Sequence, residues 1–217
     1  MDPLNIERFT RDISEVDIVF LGCSYTSGVG LIDLNSRYST VISNHYNKNE
    51  VNLASGGDGN YRSFDIFGQL NLVSGTKVIL QLTELSRLRW YTNRIVDQRL
   101  STDATLELIT VYNDKFLIYD LIRQLRIIVQ YCRARGLQLV IWSIARFNDP
   151  DLDRALEVYL EKFPEYIHLD NRLNTATTYR IDNGTDGTEE LGTGHPGPKS
   201  NQLIAKKLIA HFDKLYT

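Results

Sequence analysis

The chain has 217 residues, 42% hydrophobic and 24% charged, a composition that excludes a disordered, collagenous or coiled-coil protein. Lys and Arg number 24 against 27 Asp and Glu, so the formal charge is -3 at pH 7 and nothing draws in a phosphate backbone; nucleic acid is not an expected partner. This length fits one domain around one core.

The stretch Met1 to Asp17 carries acids and no apolar run of signal-peptide length. No segment approaches the ~20 apolar residues that span a bilayer, so a membrane is not an expected partner and the expected location is cytoplasmic. Cys23 and Cys132 fall at a strand end and on the apolar face of a helix, which does not suggest a disulfide framework and fits a reducing compartment.

Short β-branched or apolar runs at Asp17 to Leu21, Val51 to Ala54, Lys77 to Leu82, Gln138 to Ile144 and Tyr166 to Leu169 predict five strands. Helical patterns separate them. The clearest spans Lys115 to Arg135, where Ile118, Leu121, Ile122, Leu125, Ile128, Val129 and Cys132 form one apolar stripe and Gly136 supplies the stop. A closing helix follows Gly197, with Pro198 at its first position. Arg37 to Tyr46, Tyr61 to Val73 and Asp151 to Phe163 read as further helices. Strands buried on both faces and joined by helical crossovers describe a parallel sheet with helices on each side, a three-layer α/β architecture. Ligands in such sheets sit beyond the carboxyl ends of the strands. The 30-odd residues from Glu84 to Asp114 read as an inserted lid or small subdomain, since structureless loops longer than about 15 residues are uncommon.

The first strand runs into Gly22-Cys23-Ser24-Tyr25-Thr26-Ser27-Gly28-Val29-Gly30. A serine in a small-residue turn at a strand's carboxyl end can expose its hydroxyl at the crevice, with amides of a following helix start aimed at it; a plain structural turn is the alternative. No Gly-Lys-Ser/Thr follows, so this is not a phosphate loop, and the dinucleotide pattern is absent too. Among the histidines, His45, His168 and His211 fit a helix, a strand and the closing helix. His195 sits instead in the rigid loop Gly194-His195-Pro196-Gly197-Pro198. It reads either as a general base for a serine hydroxyl or as a loop histidine.

Together, Gly22-Cys23-Ser24, Asn52-Leu53-Ala54-Ser55-Gly56-Gly57 and His195-Pro196 resemble the ordered blocks of the SGNH hydrolases, also called GDSL esterases. The resemblance runs from residue 17 to about 210. It is nearest to a subgroup opening with Gly-Cys-Ser-Phe/Tyr-Thr and closing with His-Pro-Gly-Pro-Lys. It implies a flavodoxin-like fold with a central five-stranded parallel sheet, a nucleophile at Ser24 and a base at His195. It also implies an oxyanion hole from the Ser24 N–H, a second-block glycine (Gly57, with Gly56 as the alternative) and a third-block asparagine. No cofactor is implied.

Three departures stand out. Cys23 replaces the aspartate of the name-giving motif. The third block lacks its Gly-x-Asn-Asp, leaving Thr83 near the asparagine's place and Asn60 as another candidate donor. Gly192 stands where the triad acid belongs, three residues before the histidine, so Asp186, Glu189 or Glu190 would have to reach the imidazole, or a backbone carbonyl would orient it in a Ser-His pair.

Asp182 to Gly187 has Asp and Gly spacing suggestive of calcium, but Thr193 stands where a bidentate glutamate is needed; no metal site is expected. Arg87, Arg89, Trp90, Tyr91, Arg94 and Arg99 in the insertion could stack on a sugar or hold an anionic group, or form a solvated surface. The expected activity is hydrolysis of a small carboxylic ester through an acyl-enzyme, the partner being a small ester or an O-acylated (acetylated) carbohydrate. The alternatives are a catalytically degenerate binding or scaffold protein and an acyltransferase.

Overall fold

A computed structural model describes residues 15–83, 87–91, 95–99, 114–143, 150–169 and 195–217. Five strands, β1 (Ile18–Leu21), β2 (Glu50–Asn52), β3 (Lys77–Leu82), β6 (Gln138–Ser143) and β7 (Tyr166–His168), pair in the order β2-β1-β3-β6-β7. Every pairing is parallel, with Ile18 opposite both Glu50 and Lys77, Lys77 opposite Gln138, and Ile141 opposite Tyr166. Helices α1 (Ser24–Ser27), α2 (Tyr38–Tyr46), α3 (Asn60–Gln69), α4 (Asp114–Arg135), α5 (Pro150–Leu160) and α6 (Pro198–Tyr216) make the connections and the carboxyl end.

The two-residue period of the strands divides the core. Val19, Leu21, Val78, Leu80, Leu82, Leu139 and Ile141 pack with Phe64 and Phe67 of α3 and with Leu121, Leu125 and Cys132 of α4. Ile18, Phe20, Ile79, Val140 and Trp142 face the other way, onto Tyr38 and Ile42 of α2 and Ile204, Leu208 and Phe212 of α6. Each such buried apolar side chain contributes about 1.5–3 kcal/mol relative to its exposed state. The sheet is thereby fixed between two helical layers, the three-layer arrangement expected from the sequence.

Several boundaries differ from expectation, α5 for one ending at Leu160 rather than Phe163. β2 begins at Glu50 and ends at Asn52, because the Glu50 carboxylate is held by Arg37, Thr40 and Ser43; Leu53 N–H still donates to Phe20 O. α3 stops at Gln69 rather than Val73: Gly68 weakens its last turn, and the chain must reverse through Val73 and Thr76 to enter β3. The insertion contains an antiparallel hairpin, β4 (Arg87–Tyr91) with β5 (Ile95–Arg99), separate from the main sheet and with β4 beside α3. The remainder of the expected lid lies outside the described residues.

Both cysteines are free and buried. Among the described residues no helix is long and apolar enough to cross a membrane.

Candidate active site

From β1 the chain passes through α2 to β2 on one side of the sheet, then through α3 to β3 on β1's other flank. The strand order therefore reverses between β1 and β3. Connections leaving two such neighbours diverge and open a crevice at their carboxyl ends. Ser24 and Thr83 stand just past those two ends.

The turn carrying Ser24 is built around Gln81. A Cβ on Gly22, whose φ is +153°, would sit 2.7 Å from the Gln81 Cβ and closer still to the Thr26 Oγ1. That proximity lets Gln81 Oε1 accept from the Cys23 N–H at 3.3 Å and from the Thr26 hydroxyl at 2.5 Å. The Thr26 Oγ1 also pairs with the Tyr38 hydroxyl at 2.7 Å, and its carbonyl accepts from Asn52 Nδ2 at 2.6 Å. Ser24 opens the single turn of α1, so its amide belongs to the first helical N–H groups, which have no acceptor inside the helix. The Ser24 hydroxyl lies 3.9 Å from the Cys23 Sγ, and the residue is 7% exposed. The buried position of Cys23 explains why a small thiol is accepted where the name-giving motif has aspartate.

His195 is half-buried, and its ring meets the Tyr25 ring edge-on, with centroids 5.6 Å apart and planes at 70°. The loop holding it is fastened from α6: Asn201 Nδ2 donates to Pro196 O at 2.9 Å and to Gly197 O at 3.0 Å. The serine turn and the histidine loop, near opposite ends of the sequence, thus meet beyond β1.

Gly57, in the β2–α3 loop, is exposed, with φ +84° and open space where a side chain would stand. Gly56 approaches the Val29 side chain instead. The next residue, Asp58, is buried and ion-paired with Arg62 one turn into α3. Asn60 begins α3 and reaches the loop after β3: its Oδ1 accepts from Thr83 N–H at 2.8 Å and its Nδ2 donates to Thr83 O at 3.0 Å. Both residues are buried.

Asp186, Glu189 and Glu190, the expected acids, lie outside the described residues, as do Arg94 and the whole of 182–187. Arg87, Trp90 and Tyr91 fall on β4, of which only the backbone is described. Among the described residues no three His, Cys, Asp or Glu side chains could hold a metal ion. Sequence reasoning did not single out Gln81, Thr26, Tyr38 or Asn201. For Gln81 the signal was present, a lone polar residue inside the apolar run of β3.

No protein-family model matches the sequence, and no curated protein sequence matches it. Solved structures do resemble the fold. A carbohydrate esterase whose active site displays divergent catalytic and non-catalytic binding functions superposes with a TM-score of 0.56 at 13% identity, over 93% of this chain and 69% of its own. The psychrotrophic esterase EstA from Pseudoalteromonas sp. gives 0.52 at 12% identity, over 91% and 97%. A GDSL-like lipase from Bacteroides thetaiotaomicron gives 0.50 at 12% identity, over 93% and 89%. With its five parallel strands between two layers of helices, the chain has the SGNH-hydrolase-like α/β fold of these proteins.

Proposed function

We propose that the protein is a serine ester hydrolase with Ser24 as nucleophile and His195 as general base. The observation that carries this is the edge-on contact of Tyr25 with His195, which brings the imidazole's loop onto the residue next to Ser24. The Ser24 Oγ attacks the ester carbonyl carbon while its proton passes to His195. The tetrahedral intermediate collapses, its carbon–oxygen bond to the alcohol breaks, and the leaving oxygen takes the proton from His195. Water then attacks the acyl-Ser24 ester with His195 again receiving the proton, releasing the carboxylic acid and restoring the hydroxyl.

Negative charge on the carbonyl oxygen would be met by the Ser24 and Gly57 N–H groups and by a third donor, Asn60 Nδ2 or the Thr83 hydroxyl. An Asn amide carries two protons, and the bond to Thr83 O uses one of them. Asp186 or Glu190 would orient the imidazole, or a backbone carbonyl would do so in a Ser-His pair. The substrate class is a small carboxylic ester, with an O-acetyl group on a carbohydrate as the specific form. Its support is the carbohydrate esterase among the similar structures and the guanidinium and aromatic residues Arg87, Trp90 and Tyr91 in the insertion.

The test is a fluorophosphonate probe on the pure protein, with peptide mass spectrometry. Labelling of Ser24, and loss of short-chain p-nitrophenyl ester turnover in Ser24→Ala, is the expected result. Absence of labelling, or unchanged turnover in Ser24→Ala, would overturn the proposal.

A further inference from the structure

Beside the histidine loop stands a carboxamide whose bonds cross between distant parts of the chain. Asn201, in the first turn of α6, is 1% exposed. Both Nδ2 protons are committed to the carbonyls of Pro196 and Gly197. Its Oδ1 accepts the Tyr38 N–H at 2.9 Å. Tyr38, fully buried, continues the path through its hydroxyl to Thr26, and Thr26 ends it on Gln81. A line of buried polar groups thus runs from the carbonyl of Pro196, the neighbour of His195, to Thr26, two residues beyond Ser24.

The helix does not need this carboxamide for its own ladder, because the Asn201 N–H already donates to Gly197 O. What the side chain adds is a tie between the histidine loop and α2. Proline fixes φ at position 196 and restricts the residue before it, so holding the Pro196 carbonyl removes most of the freedom by which His195 could swing. Burial makes the tie stiff: any displacement leaves an amide or a carbonyl without its partner in a low-dielectric interior.

We infer that Asn201 is a positioning residue that sets the place of the His195 imidazole relative to the Ser24 hydroxyl. This rests on the esterase proposal above, since it matters to turnover only if those two groups react. Its effect comes through His195, and the substrate does not touch it.

Asn201→Asp tests this with little change of volume: the acceptor for Tyr38 N–H remains, while both donors become oxygen facing carbonyls. Thermal unfolding and circular dichroism report the fold, ester kinetics report kcat and KM, and NMR of the His195 ring protons reports its position through the ring current of Tyr25. The expected result is a folded protein with kcat down about 10- to 100-fold, KM little changed, and displaced His195 resonances. A variant that is only less stable, with wild-type kcat per folded molecule and wild-type His195 resonances, would overturn the inference. Should Asn201→Asp fail to fold, Asn201→Ala removes the same three bonds, to Pro196 O, Gly197 O and Tyr38 N–H, without setting oxygen against the carbonyls; a lower kcat with moved His195 resonances supports the inference, and wild-type values overturn it. If wild-type protein neither turns over esters nor takes the fluorophosphonate, it is the esterase proposal that falls, and the His195 resonances still decide whether Asn201 holds the loop.

Discussion

Gly22 and Gln81 approach so closely that a Cβ on the glycine would lie 2.7 Å from the Cβ of the glutamine. Neither neighbour can retreat easily, because Gln81 is tied to Cys23 and Thr26 by its Oε1. Gly22→Ala must therefore push β1 and β3 apart or dislodge the turn bearing Ser24, at a cost of about 1–3 kcal/mol. Urea unfolding should show this loss, and the fluorophosphonate labelling rate should fall with it. A wild-type midpoint and labelling rate would show that the turn has room to spare.

Thr26→Val keeps the shape and removes the hydroxyl shared by Gln81 and Tyr38. Losing one partner of a buried hydrogen bond costs about 1–3 kcal/mol, whereas removing both partners costs less than the separate losses combined. The double variant Thr26→Val, Tyr38→Phe should thus be more stable than additivity of the single variants requires. Denaturant midpoints for the four proteins measure the coupling, and strict additivity would mean that the contact contributes nothing.

The sheet was legible because strands buried on both faces leave continuous apolar runs, and Lys77–Leu82 coincides with its expected strand. The stripe on α4 and Pro198 at the start of α6 were equally clear, being local signals. β2 was blurred at its start, since a charged Glu50 enters a strand only when distant Arg37, Thr40 and Ser43 hold its carboxylate. The hairpin of β4 and β5 has no Asn-Gly or Asp-Gly turn between its strands, so its short-range marker was missing. Ser24 and His195 stood out by their motifs. Their supports, Gln81 and Asn201, act through long-range bonds that no spacing in the sequence encodes.

Cys132 is 1% exposed, and burial pushes its thiol up to about 12. Cys23 is 4% exposed. A thiol reacts as its thiolate and only where a reagent can reach it. Neither cysteine should consume a disulfide reagent in the folded protein at mildly alkaline pH, and both should do so in guanidinium. A fast-reacting thiol in the native state would show that the turn or α4 opens locally.

Cys132 shares its upward shift with the phenols of Tyr38, Tyr46 and Tyr166, and in each case burial is the first cause. The fold holds these groups neutral, while the unfolded chain ionises them near their ordinary values of 9.0 for the thiol and 10.0 for the phenols. Their favourable contribution is complete below about pH 9 and is lost as the pH rises toward the folded-state values. Stability from urea unfolding should therefore decline steadily above about pH 9, with proton release on unfolding. Cys132→Ala should flatten the first part of that decline; an unchanged slope would assign it to other groups.

Asn60 holds the loop after β3 by both backbone groups of Thr83, which fixes the plane of its carboxamide and so the direction of the second Nδ2 proton. A threonine hydroxyl, by contrast, rotates, and a donor already aimed at the developing charge is worth more than one that must be turned toward it. Asn60 is therefore the stronger candidate for the third oxyanion donor. Asn60→Ala should lower kcat by about 100-fold or more. It should also cost about 1–3 kcal/mol of stability, since Thr83 loses partners for a buried N–H and C=O. Thr83→Val leaves that backbone pairing in place and should turn over esters at nearly the wild-type rate. If the two variants exchange these outcomes, the hydroxyl is the donor and Asn60 only shapes the loop; measuring kcat alongside the unfolding midpoint of each separates the cases.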